Sequence, residues 1–540
     1  MMRSIIFSVV LVFVFVSLGL AQQSAGPRLQ AINGIPQFHK EKPFILLAGE
    51  TGNSTASGLE DMRAMWPKLK RMNLNTVLAP VYWELIEPAE GKFDFALVDS
   101  LILGARANNM QVVILWFGTW KNSMSCYAPT WVKQDVKRFE RAVTNAGKRV
   151  EILSAFDKDN LDADIKAYEA MMAHVKQIDE KHGTVLMVQV ENEIGMLGSA
   201  REYTATATKQ FNAEIPAILS NYLQKESKAL VPELADKWKQ NGSKTKGNWP
   251  TIFGNDLDGE EIFQAYYYAQ YANEVAKAGK KIYNIPMFVN AALNHRFVKQ
   301  GDYPSAGPLP HILNIWQVAA PDIDMLSPDF YNPNFKYYND LFVRNNNPLF
   351  VPEIHFDSTV GAKALYAVGH YKAIGFSPFS IENGSAVNSA LLGKSYDIIK
   401  QMEAELFKAY TGGKKVEGVL LDKKNNSEKI ELGDFIITVK HDLTLNWSSQ
   451  AKDTSWPPSG AIIIQTDKND FYVGGTGVVL TFEHKNSKLE AGILTADKGR
   501  FKDGVFNVSI RNNGDQTHQG RHIRIPTNDW EIQKVALYAY

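Results

Sequence analysis

Two glutamates, Glu193 in VQVENEIG and Glu353 in LFVPEIH, each stand where a run of apolar residues stops. A carboxylate in that position is costly to desolvate unless it is paired or put to use. Taken singly, each reads at least as well as a salt-bridged structural residue. Taken as a pair facing one cleft, they have the chemistry to break a glycosidic bond. One carboxyl, protonated, gives its proton to the leaving oxygen, and the other, ionised, attacks the anomeric carbon. Their proximity helps divide the roles, because one charge raises the pKa of the other group. Side chains alternate along a strand, so Glu191 and Glu193 are expected on one side and Asn192 on the other, unless the strand end twists or bulges. Pro352 lacks a backbone donor, which puts Glu353 near a strand end rather than in mid-sheet.

The elements that must position these residues follow from the apolar runs. Between about residues 42 and 410, short apolar stretches alternate with longer amphipathic ones, the pattern of βα units and a parallel sheet. Candidate strands lie at 44–49, 75–83, 112–118, 185–192, 286–293, 323–331, 349–355 and 374–382. Eight such runs, each continuously apolar, predict an α/β fold built as a (β/α)8 TIM barrel. An open doubly wound sheet is disfavoured because no Gly-rich phosphate fingerprint follows the first strand. The connections on either side of the fourth strand are much longer than one crossover helix. Residues 263–279 read as a helix and 233–259 as turn-rich and irregular. Long insertions at the carboxyl ends of barrel strands lie where active sites form.

Beyond about residue 412 the helical pattern stops. Strand-like runs at 435–440, 461–466, 478–483, 506–511 and 535–540, separated by Gly, Asn and Asp, predict an antiparallel β-sandwich. At the other end, Arg3, an apolar stretch and the small residues Gly19 and Ala21 read as a signal peptide over 1–21, implying export to the periplasm or the medium. The expected organisation is therefore a signal peptide at 1–21, a catalytic barrel at 24–411 and a sandwich at 412–540. Lys plus Arg and Asp plus Glu number 58 each, so no net field gathers nucleic acid or anionic membrane. The single cysteine, Cys126, rules out an intramolecular disulfide and any cysteine-cluster metal site. No metal or organic cofactor is expected, and a neutral carbohydrate is the partner that fits best.

Three segments resemble the β/α-barrel retaining glycosidases, and within them the β-galactosidases of glycoside hydrolase family 35, especially exported bacterial members with a C-terminal β domain. LNTVLAPVYWELIEPAEGKFDF (74–95) is similar to the second-strand motif, VQVENEIG (188–195) to the acid/base motif, and LFVPEIH (349–355) to the nucleophile segment. The resemblance implies Glu193 as acid/base, Glu353 as nucleophile, Asn192 as a contact to the sugar 2-hydroxyl, and Tyr331 as a hydrogen-bond partner of the nucleophile. Tyr82 and Trp83 would shape the floor of the subsite. The third-strand loop departs from the family: WFGTWKNSMSCYAPTWV (116–132) has no glutamate, and Asn122 or Trp120 is the expected replacement contact. The implied activity is retaining, exo-acting hydrolysis of terminal β-galactosyl residues, from plant cell-wall side chains among other oligo- or polysaccharides. A retaining glycosidase of other specificity, such as an arabinopyranosidase or a glucan hydrolase, and a non-catalytic carbohydrate-binding barrel remain as alternatives.

Overall fold

The structure is a computed structural model that describes residues 26–293 and 298–540; the expected signal peptide lies outside the described residues. Eight parallel strands close into a barrel: β1 (Leu46–Glu50), β2 (Thr76–Tyr82), β3 (Gln111–Lys121), β4 (Val185–Asn192), β5 (Met287–Ala292), β6 (Met325–Phe330), β7 (Phe350–Ile354) and β8 (Gly375–Pro378). Nearly every residue of these strands is buried, because side chains on one face fill the barrel and those on the other meet the helices. Each expected strand overlaps one of the eight. The sequence gives no hint of the antiparallel sheet before them (Arg28–Ile32, Ile35–His39, Pro43–Phe44). That sheet lies beside the amino-terminal ends of the barrel strands, where Lys40 reaches Gln111 at 3.1 Å.

Two long helices back the site. α1 (Lys158–Asp179) is capped by Asp157, whose carboxylate accepts from the Asp159 amide. α2 (Leu257–Ile282) contains the expected 263–279 helix and is capped by Asp256. The stretch expected to be irregular, 233–259, instead holds the helices Pro232–Gln240 and Trp249–Phe253. Pro232 stands at the start of the first, and Asn248 caps the second through the Thr251 amide. Their short length hid them, since neither presents enough turns for a helical period to emerge.

Helices α3 (Val360–His370) and α4 (Ala386–Thr411) close the barrel and carry the C-terminal sheets. Ten strands from Val416 to Ala539 form a six-stranded and a four-stranded antiparallel sheet. Val419, Ile463, Phe471 and Val535 of the first share one core with Leu432, Ile437, Leu480 and Ile523 of the second. Five of these strands are not evident in the sequence: 427–432, SEKIEL, spends half its positions on solvent-facing polar residues. The six-stranded sheet meets α3 backbone to backbone. A Cβ added to Gly418 would come within 2.7 Å of the His370 amide nitrogen, so only glycine allows this approach.

Candidate active site

At the mouth of the barrel the ends of five strands converge on a group of buried carboxyls. β1 contributes Glu50, β4 leads to Glu193, β6 contributes Asp329 and β7 contributes Glu353; β3 contributes the one cation of the group among the described residues, Lys121. All five side chains are buried, Glu193 and Glu353 at 6% and 5% exposure. Asp329 and Glu353 are paired residues on neighbouring strands. β5 supplies the linking amide: Asn290 accepts from the Glu193 backbone at 2.9 Å and donates to Asp329 at 2.6 Å.

Electrostatics follow from this crowding. Burial, then the neighbouring Glu353 charge, pushes Glu50 and Asp329 well above the carboxylate range. Burial also raises Glu193, while Lys121, Asp329 and Asn122 hold it down. Glu353 is pushed up to about 7 by burial and by the Glu193 charge, against the pull of Lys121 and hydrogen bonds from Tyr331 and Glu50. Four buried carboxyls beside one ammonium cannot all ionise; the low-energy state keeps most of them neutral and offsets one anion with Lys121.

Each expected site residue has a definite place. Tyr331, half-exposed at the end of β6, donates its hydroxyl to Glu353 Oε1. Asn122 donates its side-chain amide to Glu193 Oε2 from a left-handed backbone position. Asn192 is fully buried, and among the described residues neither its Oδ1 nor its Nδ2 has a protein partner. Tyr82 is buried, spends its hydroxyl on the Asn53 carbonyl at 2.7 Å and stacks on Tyr127.

Two aromatic residues do not fit their expected roles. Trp83 is fully buried at the start of the short helix Trp83–Ile86, with its indole donating to Glu87 at 2.8 Å and its ring against Trp131. It stabilises the turn after β2 and has no surface to offer a sugar. Trp120 is likewise fully buried, packed on Tyr268 and Tyr271 of α2. Of the two replacements considered for the third-strand loop, only Asn122 reaches the carboxyl group.

The expectation that Glu191 and Glu193 share a side also fails. Both residues have positive φ, 61° and 46°, and the β3–β4 register shifts between Trp116 and Lys121. The twisted strand end turns Glu191 toward α1, where it meets the buried Asp164. Trp120 N donates to Glu191 at 2.6 Å, and Trp116 and Thr119 donate to Asp164 at 2.9 and 2.7 Å. Glu382, at the β8 end, is likewise occupied: it accepts from Gly52 N at 3.0 Å and from Thr55.

The barrel thus brings Glu193, just after the fourth strand, and Glu353, on the seventh, into one buried cluster at its mouth. The family model of glycoside hydrolase family 42, described as beta-galactosidase, matches residues 56–254, which include Glu193 but not Glu353. The matching model is thus that of family 42 and not of family 35, and the motif likeness holds for the wider group of β-galactosidase barrels. A domain of unknown function, DUF5597, matches residues 392–524, beginning inside α4. The human beta-galactosidase-1-like protein 3 is 28% identical over 194 residues, 35% of this chain and 26% of its own length. A beta-galactosidase of Xanthomonas manihotis is 27% identical over 181 residues, 31% of this chain and 27% of its own. The aligned segments thus span about a quarter of either relative. Among solved structures, β-galactosidases of Marinomonas ef1 and Bacillus circulans sp. alkalophilus superpose with TM-scores of 0.46 and 0.47 at 12% and 13% identity. They cover 67% and 66% of this chain, and 60% and 56% of theirs.

Proposed function

We propose that this chain is an exported, retaining glycoside hydrolase that removes terminal β-galactosyl residues from oligo- or polysaccharides. The observation that carries the reading is the arrangement at the barrel mouth: Glu353 held by Tyr331, and Glu193 held by Asn122, in one desolvated cluster with Lys121 as its cation. The family match over residues 56–254 supports the galactoside specificity. In the first step Glu353 attacks the anomeric carbon as the glycosidic C–O bond breaks, and the Glu193 proton passes to the departing oxygen. A covalent glycosyl-enzyme results. In the second step Glu193, now ionised, takes a proton from water, whose oxygen displaces Glu353 and regenerates both carboxyls with retained configuration. Lys121 offsets the Glu353 charge before attack, and the unpartnered amide of Asn192 is the candidate contact for a sugar hydroxyl.

Hydrolysis of an aryl β-galactoside tests the reading, with proton NMR recording the anomer released first. A β-anomer, with loss of turnover in Glu353→Gln, is the expected result; an α-anomer would mean inversion. Glu193→Ala keeps its first step on good leaving groups and regains turnover with azide. Amino-terminal sequencing of the mature protein tests export, which predicts a start after Ala21.

A further inference from the structure

Glu353 presents two oxygens, and only one of them has a hydroxyl donor. Tyr331 occupies Oε1, while among the described residues no amide, hydroxyl or ammonium group donates to the buried Oε2. Glu50 has the same deficit: its Oε1 is buried with no such donor among the described residues. The two carboxyl groups lie within hydrogen-bond reach of each other. Two ionised carboxylates do not stay at that distance in a desolvated site, whereas an acid and a carboxylate satisfy each other with one proton.

We propose that Glu50 is a positioning residue that stays protonated and donates its O–H to Glu353 Oε2, opposite the Tyr331 bond on Oε1. The proposal rests on Glu353 being the nucleophile. Held from both sides, the Glu353 carboxylate is fixed in rotation and made less basic. The remaining groups facing this pair are consistent with the assignment. Glu193, just after β4, discourages ionisation of Glu50, Lys121 on β3 is the cation that acts against it, and on β6 Asp329 is itself raised by the Glu50 charge. Burial favours the neutral form of Glu50 as well. During the first step the Glu353 charge disappears into the ester, and the Glu50 proton stays where it is. Glu50 therefore transfers nothing and acts through Glu353 alone.

Two variants of the full chain separate this role from packing. Glu50→Gln keeps a neutral donor at the same place; Glu50→Ala removes it. Carbon-13 NMR of labelled glutamate carboxyls reads the Glu353 titration without needing turnover, and kcat/KM on an aryl β-galactoside reads the acidic limb of the pH profile. Loss of a donor to a carboxylate raises its pKa, so Glu50→Ala should move both midpoints up by about one pH unit. Glu50→Gln should retain the parent midpoints. A fall of both midpoints in both variants means that Glu50 is ionised in the parent and overturns the proposal; an unmoved midpoint in Glu50→Ala does the same. If the parent hydrolyses no glycoside while the NMR shifts appear as stated, the glycosidase reading falls and the carboxyl pair stands.

Discussion

Glu191 and Glu193, separated by one residue, belong to different carboxyl pairs. Glu191 faces Asp164 on α1 and takes the Trp120 amide at 2.6 Å, while Glu193 faces the barrel mouth and takes Asn122. Positive φ at both positions makes this divergence possible. The first pair is walled off by Trp116, Thr119 and Tyr271, whereas Glu193 keeps 6% exposure at the barrel mouth.

This separation gives Glu191 a signature in stability rather than chemistry. Burial raises both Glu191 and Asp164 above the carboxylate range. Stability from such groups is full below their unfolded pKa values, about 4, and is lost as pH rises through the folded ones. Glu191→Gln mimics the protonated side chain, so its Tm should fall less than the parent's between pH 5 and pH 9. Parallel melting curves for the two proteins would refute the proton-sharing pair. Glu191→Ala, which strands the Trp120 amide, should cost about 2 kcal/mol at pH 5 and less as pH rises.

The pH profile of hydrolysis should be a bell whose acidic limb lies near Glu353's raised pKa of about 7. The nucleophile must be ionised, so kcat/KM falls as pH drops through that value. Burial raises Glu193 too, against the pull of Lys121, Asp329 and Asn122, and the alkaline limb reports the group that must stay protonated. An acidic limb at pH 4 to 5 would place the ionising group outside this cluster.

Tyr331→Phe removes the hydroxyl on Glu353 Oε1 and should raise the acidic limb by about one pH unit, with kcat/KM falling about tenfold or more. Asn122→Ala acts on the other side of the bell. Losing a donor to the Glu193 carboxylate raises its pKa, so the alkaline limb should move up while the acidic limb stays. A shift of the same limb in both variants would reverse one of the assignments.

Gly418→Ala puts a methyl group 2.7 Å from the His370 amide nitrogen, and neither backbone can yield without opening the seam. The expected cost is about 1–3 kcal/mol, read as a lower Tm for the whole chain in calorimetry. A wild-type Tm would mean that the seam is looser than this geometry requires.

Much of this was legible from residue order. The eight apolar runs are strands because burial on both faces leaves no polar alternation, and Glu193 and Glu353 stand out where those runs stop. Glu50 and Asp329 stop or interrupt similar runs, in LLAGE and SPDF, yet carry no motif; their meaning arises only when distant strand ends meet. The signal that could have found them is the same one that marked the catalytic pair, a carboxylate closing a buried strand. Trp83 and Trp120 misled for a different reason. An aromatic residue at a barrel strand's end looks the same whether it faces the mouth or the helices. The local twist that turned Trp120 toward α2 depends on the β3 register shift, which has no sequence marker here.

The seam between α3 and the six-stranded sheet has a consequence for Glu353 itself. β7 ends at Ile354 and α3 begins at Val360, so the strand that bears the carboxyl is joined by a short turn to the helix against which Gly418 is pressed. At Gly418 the two backbones meet with no side chain between them, so the sandwich works as a buttress behind one wall of the candidate site. Heat that loosens this buttress should end the proposed hydrolysis before the barrel comes apart, so that residues 392–524 set the temperature limit of the site.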